Sequence, residues 1–382
     1  MGNSRTLISV TVVTHNSESC LVRCLDSVLA QDWPSLEVII VDNDSHDGTR
    51  AVLARYQGRC EVISNAENHG FAAGQNQAMR RARGEWILAL NPDVLLTPNF
   101  VSSLVEAGRL DPSVGTVCGK LLRALPELDI PAEPRVDSAG MYFTPTFRHF
   151  DRGAEQPDGE AYSTPVFVFG ATGAAAFYRR AMMEDVSVEG EFYDEDFFFS
   201  REDADVSWRA QLLGWKCLYT PNAVGYHVRR VFPGVRRNLP KEINRHSVKN
   251  RFLMRMKNAT LSLYLRNFVP VTVRDLGILA YCFVRERDSL AAFTFLFRNW
   301  SRILRKRRAI QGRWQERRQP RYRQQGHRVS EAYMRNWFRF RPVALPAPAA
   351  FRREKIEPAA TDAPTRPLLQ APTTRTESGS LR

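Results

Sequence analysis

No stretch of this 382-residue chain holds the roughly 20 apolar residues that a bilayer-spanning helix needs. The best window, Leu276 to Val284, reaches about half that length. The apolar run Leu7 to Val13 is too short for the core of a secretory leader and runs straight into Thr14, His15 and Asn16. Cysteine is sparse and scattered, at Cys20, Cys24, Cys60, Cys118, Cys217 and Cys282. Cys20 and Cys24 lie four apart, but no second pair completes a zinc site. With no export signal, the expectation is a cytoplasmic protein with reduced thiols. No internal repeat is present. Acidic residues are scarce only in one region. Residues 1–228 carry 19 Lys/Arg against 31 Asp/Glu, a net of −12, and residues 229–342 carry 29 against 6, a net of +23. An acidic body joined to a basic part points to a polyanionic partner, either nucleic acid or an anionic membrane surface.

The first third alternates strand and helix signals. Leu7 to Val13, Leu36 to Val41, Glu61 to Ser64 and Trp86 to Leu90 read as strands. Helices are predicted after Ser17, which stands where a cap belongs, around Ala51 to Tyr56, and over Ala72 to Arg83. This order implies a parallel sheet with helices on its faces. In such sheets ligands bind beyond the carboxyl ends of the strands. Three polar clusters fall there: Thr14, His15 and Asn16 after the first strand, Asp42, Asn43 and Asp44 after the second, and Asn91 and Asp93 after the fourth. Further on, Asp137 to Phe143, Pro165 to Phe169 and Trp215 to Tyr219 read as strands, and Gly170 to Tyr178 is a run of small residues ending in aromatics.

The segment Phe192 to Gly214 (FYDEDFFFSREDADVSWRAQLLG) crowds Asp194, Glu195, Asp196, Glu202, Asp203 and Asp205 in front of and into a predicted helix from about Glu202 to Leu213. Like charges this close raise carboxyl pKa values toward the range useful for proton transfer. Asp205 and Arg209 are spaced as a helical i,i+4 pair. Beyond Arg229, Glu242 to Lys257 and Val273 to Leu304 read as basic, partly apolar helices, and a Pro/Ala/Thr/Ser-rich tail from Pro342 is expected to be disordered.

Taken in order, Val10 to Asn16 (VTVVTHN), Val41 to Thr49 (VDNDSHDGT), Asn68 to Met79 (NHGFAAGQNQAM), Leu90 to Val94 (LNPDV), Gly170 to Arg180 (GATGAAAFYRR), Glu202-Asp203 and Lys249-Asn250-Arg251 resemble the family 2 inverting glycosyltransferases, most of all the bacterial rhamnosyltransferase-type members. The resemblance covers about residues 7 to 258. It implies a GT-A (Rossmann-like) α/β fold with a mixed, mostly parallel sheet and helices on both faces. The implied division is a catalytic domain at 1–230, a basic helical extension at 231–342 and a disordered tail at 343–382. It also implies a hexosyltransferase that takes a nucleotide-diphosphate sugar, dTDP-L-rhamnose first, or a UDP-hexose such as UDP-galactofuranose or UDP-GlcNAc, with Mg²⁺ or Mn²⁺ at the diphosphate. The acceptor would be a glycan or a polyprenyl-lipid-linked sugar, in cell wall or polysaccharide biosynthesis.

Carried over residue by residue, Asp203 matches the family's general base, with Glu202 as the fallback. Asp42 matches the residue that bonds the nucleotide base, and Thr14, His15 and Asn16 match the loop around base and ribose. Asn76 resembles a donor-side helix residue, though capping or packing would also suit it. The family's Asp-x-Asp motif stands here as Asn91-Pro92-Asp93, leaving Asp93 as the one carboxylate for the metal, and His227 matches the family's metal-side histidine. Asp194, Glu195 and Asp196 are expected to shape the acceptor site or a mobile loop.

The basic part lacks zinc-finger and homeodomain patterns, which weighs against nucleic acid. Its interleaved aromatic and basic residues suit an interfacial helix at anionic lipid. Val273 to Arg308 is therefore expected to lie on the inner face of the membrane, with Leu276, Ile278, Phe293, Phe297 and Trp300 on its apolar side and Arg302, Arg305, Lys306, Arg307 and Arg308 on its charged side. The competing arrangement packs these helices on the acidic body.

Overall fold

The computed structural model describes residues 6–229, 239–319, 334 and 336–347. Strand β1 (Ile8–Thr14) is buried along its whole length, as its β-branched sequence requires for a strand covered on both faces. Helix α1 (Glu18–Leu29) buries Cys20, Leu21, Cys24, Leu25 and Val28, the stripe its apolar spacing predicts. Ser17 stands at the cap position, but its hydroxyl bonds the carbonyl of His15 and caps nothing. Then follow β2 (Leu36–Asn43), α2 (Thr49–Ala54), β3 (Glu61–Asn65), α3 (Gly70–Arg81) and β4 (Trp86–Leu90). β3, β2, β1 and β4 lie side by side and parallel. Because β1 pairs with both β2 and β4, the strand order reverses at its carboxyl end, the place where such sheets open a crevice.

The rest of the sheet is mixed. β5 (Val94–Leu96), α4 (Phe100–Arg109) and β6 (Val114–Arg123) precede two short strands, β7 (Val136–Ser138) and β8 (Met141–Phe143). The single strand expected over Asp137 to Phe143 is broken at Gly140, whose φ of +95° ends the extended run. β9 (His149–Asp151) forms a hairpin with β8. After β10 (Val166–Val168) comes β11 (Ala175–Arg179), which runs antiparallel between β4 and β6. Helices α5 (Arg180–Val186) and α6 (Glu202–Leu212) lead to β12 (Lys216–His227), which pairs in parallel with β6 and antiparallel with β5 and β10.

The basic part is a set of helices: α7 (Lys241–Asn258), α8 (Leu261–Arg266), α9 (Phe268–Arg285), α10 (Ala291–Arg298) and α11 (Trp300–Arg317). The single helix expected from Val273 to Leu304 is divided at 286–290 and again at Asn299. At Asn299 the side-chain amide donates back to the carbonyl of Phe295 at 2.8 Å, alongside the backbone amide of Asn299 at 3.0 Å. Residues 343–347 of the expected tail, and Trp337 and Phe338 before it, return to the main body. Trp337 and Phe338 join a buried aromatic cluster with Phe143, Phe169 and Trp208, and β13 (Leu345–Pro346) pairs with β10. Residues 348–382, most of the tail expected to be disordered, lie outside the described residues.

Candidate active site

The polar clusters gather at the crevice. Thr14 and Asp42 are register partners at the carboxyl ends of β1 and β2. Arg50 Nε donates to Asp42 Oδ2 at 3.0 Å, while Asp42 Oδ1 and Thr14 Oγ1 are buried with no hydrogen-bond partner among the described residues. Buried polar atoms normally have partners, and two exceptions side by side mark a place where a ligand group would complete the bonding. His15 Nδ1 donates to the carbonyl of Asn43 at 2.7 Å. Asn16, held in the left-handed region at φ +51°, accepts the His46 amide through its side chain, so it fixes the loop between the two strand ends.

Asp93 and His227 meet because β5 and β12 pair there, with His227 opposite Val94. His227 Nε2 stands 3.5 Å from Asp93 Oδ1. Two cis ligands about 2.1 Å from an octahedral Mg²⁺ or Mn²⁺ stand about 3.0 Å from one another, so this pair is about half an ångström wider than such a cation would hold it. On its other side His227 Nδ1 bonds Asp137 Oδ2 at 2.8 Å, the carboxylate-histidine arrangement that orients a ligating imidazole. Asp137, fully buried, also takes Arg123 and Arg229 on Oδ1, each at 2.9 Å. Burial pulls the His227 pKa down, but the bonds to Asp137 and Asp93 outweigh it and raise it to about 9. Among the described residues no three His, Cys, Asp or Glu side chains converge on one point, so a cation here would complete its coordination from ligand oxygens. Sequence reasoning missed Asp137. Its one signal was an acid inside a run read as strand.

The Glu202–Asp203 pair opens α6. Asp203 is half-buried and accepts the Gly173 amide at 2.8 Å through Oδ2. The next residue, Ala174, accepts the Asn91 amide at 2.9 Å, so the base candidate and the Asn91-Pro92-Asp93 turn are joined through two adjacent small residues, Gly173 and Ala174. This is the close approach that the Gly170 to Tyr178 run permits. Gly170 serves packing instead, since a Cβ there would stand 2.0 Å from Ser207 Oγ. Glu202 is buried. Burial, and then the charge of Asp203, hold its carboxyl well above the usual range. Burial also raises Asp203, and the amides of Gly173 and Ala204 pull it partly back. Two coupled carboxyls whose environments pull them apart suit one proton shared between them, kept on Glu202 and leaving Asp203 ionised.

The loop before this pair is strained and held. Phe198, Ser200 and Arg201 all have φ between +66° and +77°. Three left-handed non-glycine residues in four positions persist only where the surroundings fix them. Asn250, fully buried on α7, supplies that hold by donating to the carbonyls of Phe197, Phe199 and Ser200 at 2.8 to 3.0 Å. It stands inside the Lys249-Asn250-Arg251 match, but its sequence offered no hint of this role.

Asn76 falls elsewhere. Its amide donates to the Tyr193 carbonyl and Glu195 Oε1 and accepts the Tyr193 amide, so it ties α3 to the acidic segment. The acid trio is likewise structural. Asp194 takes Lys257 and Lys306, Asp196 takes Arg302 and Lys306, and Glu191 and Glu189 take Lys306 and Arg305. Asp205 is more than helix support: it binds Arg209 at 2.9 Å, Lys257 at 3.0 Å and Asn258 at 2.7 Å, all buried. The expectation of a free basic face is corrected by the same contacts, because Arg302, Arg305 and Lys306 bind the acidic body and Arg307 bonds the carbonyls of Met256 and Ala259. The exposed surface of these helices mixes Arg266, Arg285, Arg298 and Arg308 with apolar Leu261, Leu265, Phe268, Val269, Val273 and Leu276 on α8 and α9, and Phe297 and Trp300 beyond.

Residues 9–186 match the family model described as Glycosyl transferase family 2. The teichuronic acid biosynthesis protein TuaG of Bacillus subtilis, a candidate glycosyltransferase, is 38% identical over 96 residues, 24% of this chain and 38% of that protein. The succinoglycan biosynthesis protein ExoO of Rhizobium meliloti is 32% identical over 100 residues, covering 26% of this chain and 29% of that protein. EpsE of Bacillus subtilis, another candidate glycosyltransferase, is 28% identical over 228 residues, 53% of this chain and 76% of that protein. The chain thus spans 29% to 38% of the length of the first two relatives. Among solved structures, GalNAc-T7 with UDP, GalNAc and Mn²⁺ is similar in fold, with a TM-score of 0.53 and 16% identity over 67% of this chain and 48% of that one.

Proposed function

We propose that this chain, which carries a glycosyl transferase family 2 domain within residues 9–186, moves a sugar from a nucleoside-diphosphate donor to an acceptor hydroxyl with inversion at the sugar carbon. The observation that carries the reading is Asp203: half-buried, bonded by the Gly173 amide, and joined through Ala174 to the Asn91-Pro92-Asp93 turn. In the proposed step Asp203 takes the proton of the acceptor hydroxyl as its oxygen attacks, and the nucleoside diphosphate leaves from the opposite face. Glu202, keeping its proton, leaves Asp203 as the charged member of the pair. The unbonded Asp42 Oδ1 and Thr14 Oγ1 support binding of the donor base, with His15 and Asn16 shaping the loop around it. Asp93 and His227 would hold Mg²⁺ or Mn²⁺, which supplies Lewis-acid relief of charge on the leaving diphosphate. Asp137 keeps the His227 ring oriented toward Asp93.

The resemblance favours dTDP-L-rhamnose as donor, with UDP-galactofuranose or UDP-GlcNAc as the second choice. The names of TuaG and ExoO support a role in building a bacterial polysaccharide, on a glycan or lipid-linked acceptor. Residues 1–230 would be the catalytic unit. Exposed Arg266, Arg285 and Arg298 beside the exposed apolar residues of α8 and α9 support a resting place on the inner face of an anionic membrane.

Thermal unfolding of the purified full-length chain with dTDP-rhamnose, UDP-galactofuranose, UDP-glucose and UDP-GlcNAc, each with and without Mn²⁺, tests the donor claim. Ligand that binds only the native state raises the midpoint by mass action. One donor should stabilise the protein and need the metal to do so. If none of them moves the midpoint, the reading falls.

A further inference from the structure

We propose that Phe198 is a positioning residue for the transfer: seated on Gly70 at the donor side and five residues ahead of Asp203, it sets how far the base stands from the donor crevice. The inference rests on the reading of Asp203 as the base, and it names what holds that base at its distance from the donor.

Phe198 has φ +66° and ψ −65°, and the Phe199 amide donates across it to the Phe197 carbonyl at 2.8 Å. This is the rare, strained form of the γ-turn. Glycine would adopt it freely, whereas a phenylalanine persists there only where its surroundings fix it. What the strain achieves is to bring the ring and the carbonyl of one residue to the same point on the donor side. A Cβ on Gly70 would stand 2.6 Å from Phe198 Cδ2 and 2.7 Å from the Phe198 carbonyl oxygen, so both already fill its place. Gly70 itself has φ +85°, so glycine suits the position on both counts. The same Phe198 carbonyl accepts the Ala72 amide at 3.0 Å. A ring that served packing alone could be presented from an unstrained turn.

Gly70 is tied in turn to the donor end of the crevice. Its carbonyl accepts the Asn43 side-chain amide at 2.9 Å, and Asn43 directly follows Asp42. Asn43 is buried, accepts the Asn65 side-chain amide at 2.8 Å, and takes His15 Nδ1 on its carbonyl at 2.7 Å. On its other side the Phe198 ring stacks on His246 of α7, with centroids 5.2 Å apart and 24° between the planes. Burial and then the charges of Lys249 and Arg245 lower the His246 pKa to about 4, so the stack joins two uncharged rings near neutral pH. One turn along α7, Lys249 donates to the Asp196 carbonyl at 2.6 Å, and Asn250 holds the carbonyls of Phe197 and Phe199 on either side of Phe198. The donor-side turn, α7 and the segment entering α6 therefore meet at Phe198. A backbone fixed there passes its placement to Glu202 and Asp203, which open α6 directly after Arg201.

Steady-state kinetics, nucleotide titration and hydrogen exchange on the full-length protein test this. Displacing a reacting group by about 1 Å costs up to roughly 100-fold in rate. Phe198→Ala should therefore lower kcat by about 10-fold or more, while the Kd of UDP or dTDP in Mn²⁺ stays within about 2-fold of wild type. Phe198→Leu, which returns apolar bulk to Gly70, should recover most of kcat. Gly70→Ala should lower kcat in the same way, and the double variant should lose less than the product of the two single losses, because both break one contact. Hydrogen exchange reads the link without turnover: the amides of Ala72 and of residues 199–204 should exchange faster in Phe198→Ala, and the rest of the chain should not. The proposal is overturned if kcat stays within about 2-fold of wild type, or if nucleotide Kd weakens as much as kcat falls, which would make Phe198 part of the donor pocket. It is overturned equally if exchange quickens throughout the chain, which would make Phe198 a packing residue of the fold. A wild type that binds no nucleotide and transfers no sugar would sink the proposed function instead. Exchange at Ala72 and residues 199–204 then decides the Phe198 link by itself, and no change there overturns it.

Discussion

Asp203 and Glu202 are adjacent acids in the first turn of one helix, and their surroundings separate their tasks. Asp203 is half-buried and takes an amide from Gly173, whereas Glu202 is buried beside an ionised neighbour. Asp203→Asn should lower kcat by roughly 100- to 10,000-fold with donor binding nearly unchanged. Glu202→Gln, which copies the protonated carboxyl, should keep most of the rate; steady-state kinetics on the two variants read the difference directly. The pH dependence follows from the same pair. Both carboxyls are raised, and the active base is the ionised one, so activity should rise with pH through a limb above the ordinary carboxylate range. A kcat profile flat from pH 4.5 upward would contradict it. The type and place of these two acids were legible in the sequence. Asn250 was not, because its work is done on three backbone carbonyls of a strained loop, and backbone strain has no sequence signature when the residues bearing it are Phe, Ser and Arg. Asn250→Ala should release that loop, lowering kcat more than it raises KM and costing about 1 to 3 kcal/mol of stability, which denaturant unfolding would measure.

At the level of elements, the parallel β1–β4 unit follows from apolar runs with polar ends, and each strand edge lands within two residues of where the pattern put it. The later strands were harder to read because most are short and their partners lie far along the chain, and even the 12-residue β12 pairs with β6, β5 and β10, which no local period reveals. The acidic segment shows the same limit. Its charge density resembles a catalytic cluster until α7 and α11 arrive to neutralise it. Lys306 binds Asp194 at 2.7 Å and Glu191 at 2.9 Å with its side chain 5% exposed, so it is a core residue of that junction. Lys306→Met should destabilise the chain by roughly 3 kcal/mol, because it strips a buried carboxylate of one partner. A double cycle with Asp194→Asn should recover part of that loss. The junction is also acid-sensitive. Burial raises the Asp194 carboxyl, but Lys257 and Lys306 lower it further, so its net pKa is depressed. The stability it adds is complete above the unfolded carboxylate value of about 3.9 and is lost as pH falls through the lower folded value.

Over the whole molecule, the charge asymmetry has two readings, and the structure uses part of it internally. The net +23 of residues 229–342 meets the net −12 of residues 1–228 through buried and half-buried pairs. The outward character of the helical part is therefore more apolar than its composition suggests. Co-sedimentation with anionic vesicles should be weakened by Leu276→Asp with Val273→Asp and only partly reduced by high salt; binding abolished by salt alone, and untouched by the substitutions, would return the contact to charge. The central claim is sugar transfer from a nucleotide donor with Asp203 as base. It is tested most directly by measuring nucleoside diphosphate released from each nucleotide sugar by wild type and by Asp203→Asn, in Mn²⁺ and in excess EDTA, with a lipid-diphosphate-linked sugar as acceptor. The account predicts acceptor-dependent release from one donor, lost in EDTA and reduced at least about 100-fold in the variant. Release that persists in Asp203→Asn at more than about a tenth of the wild-type rate, or that needs no metal, would contradict it.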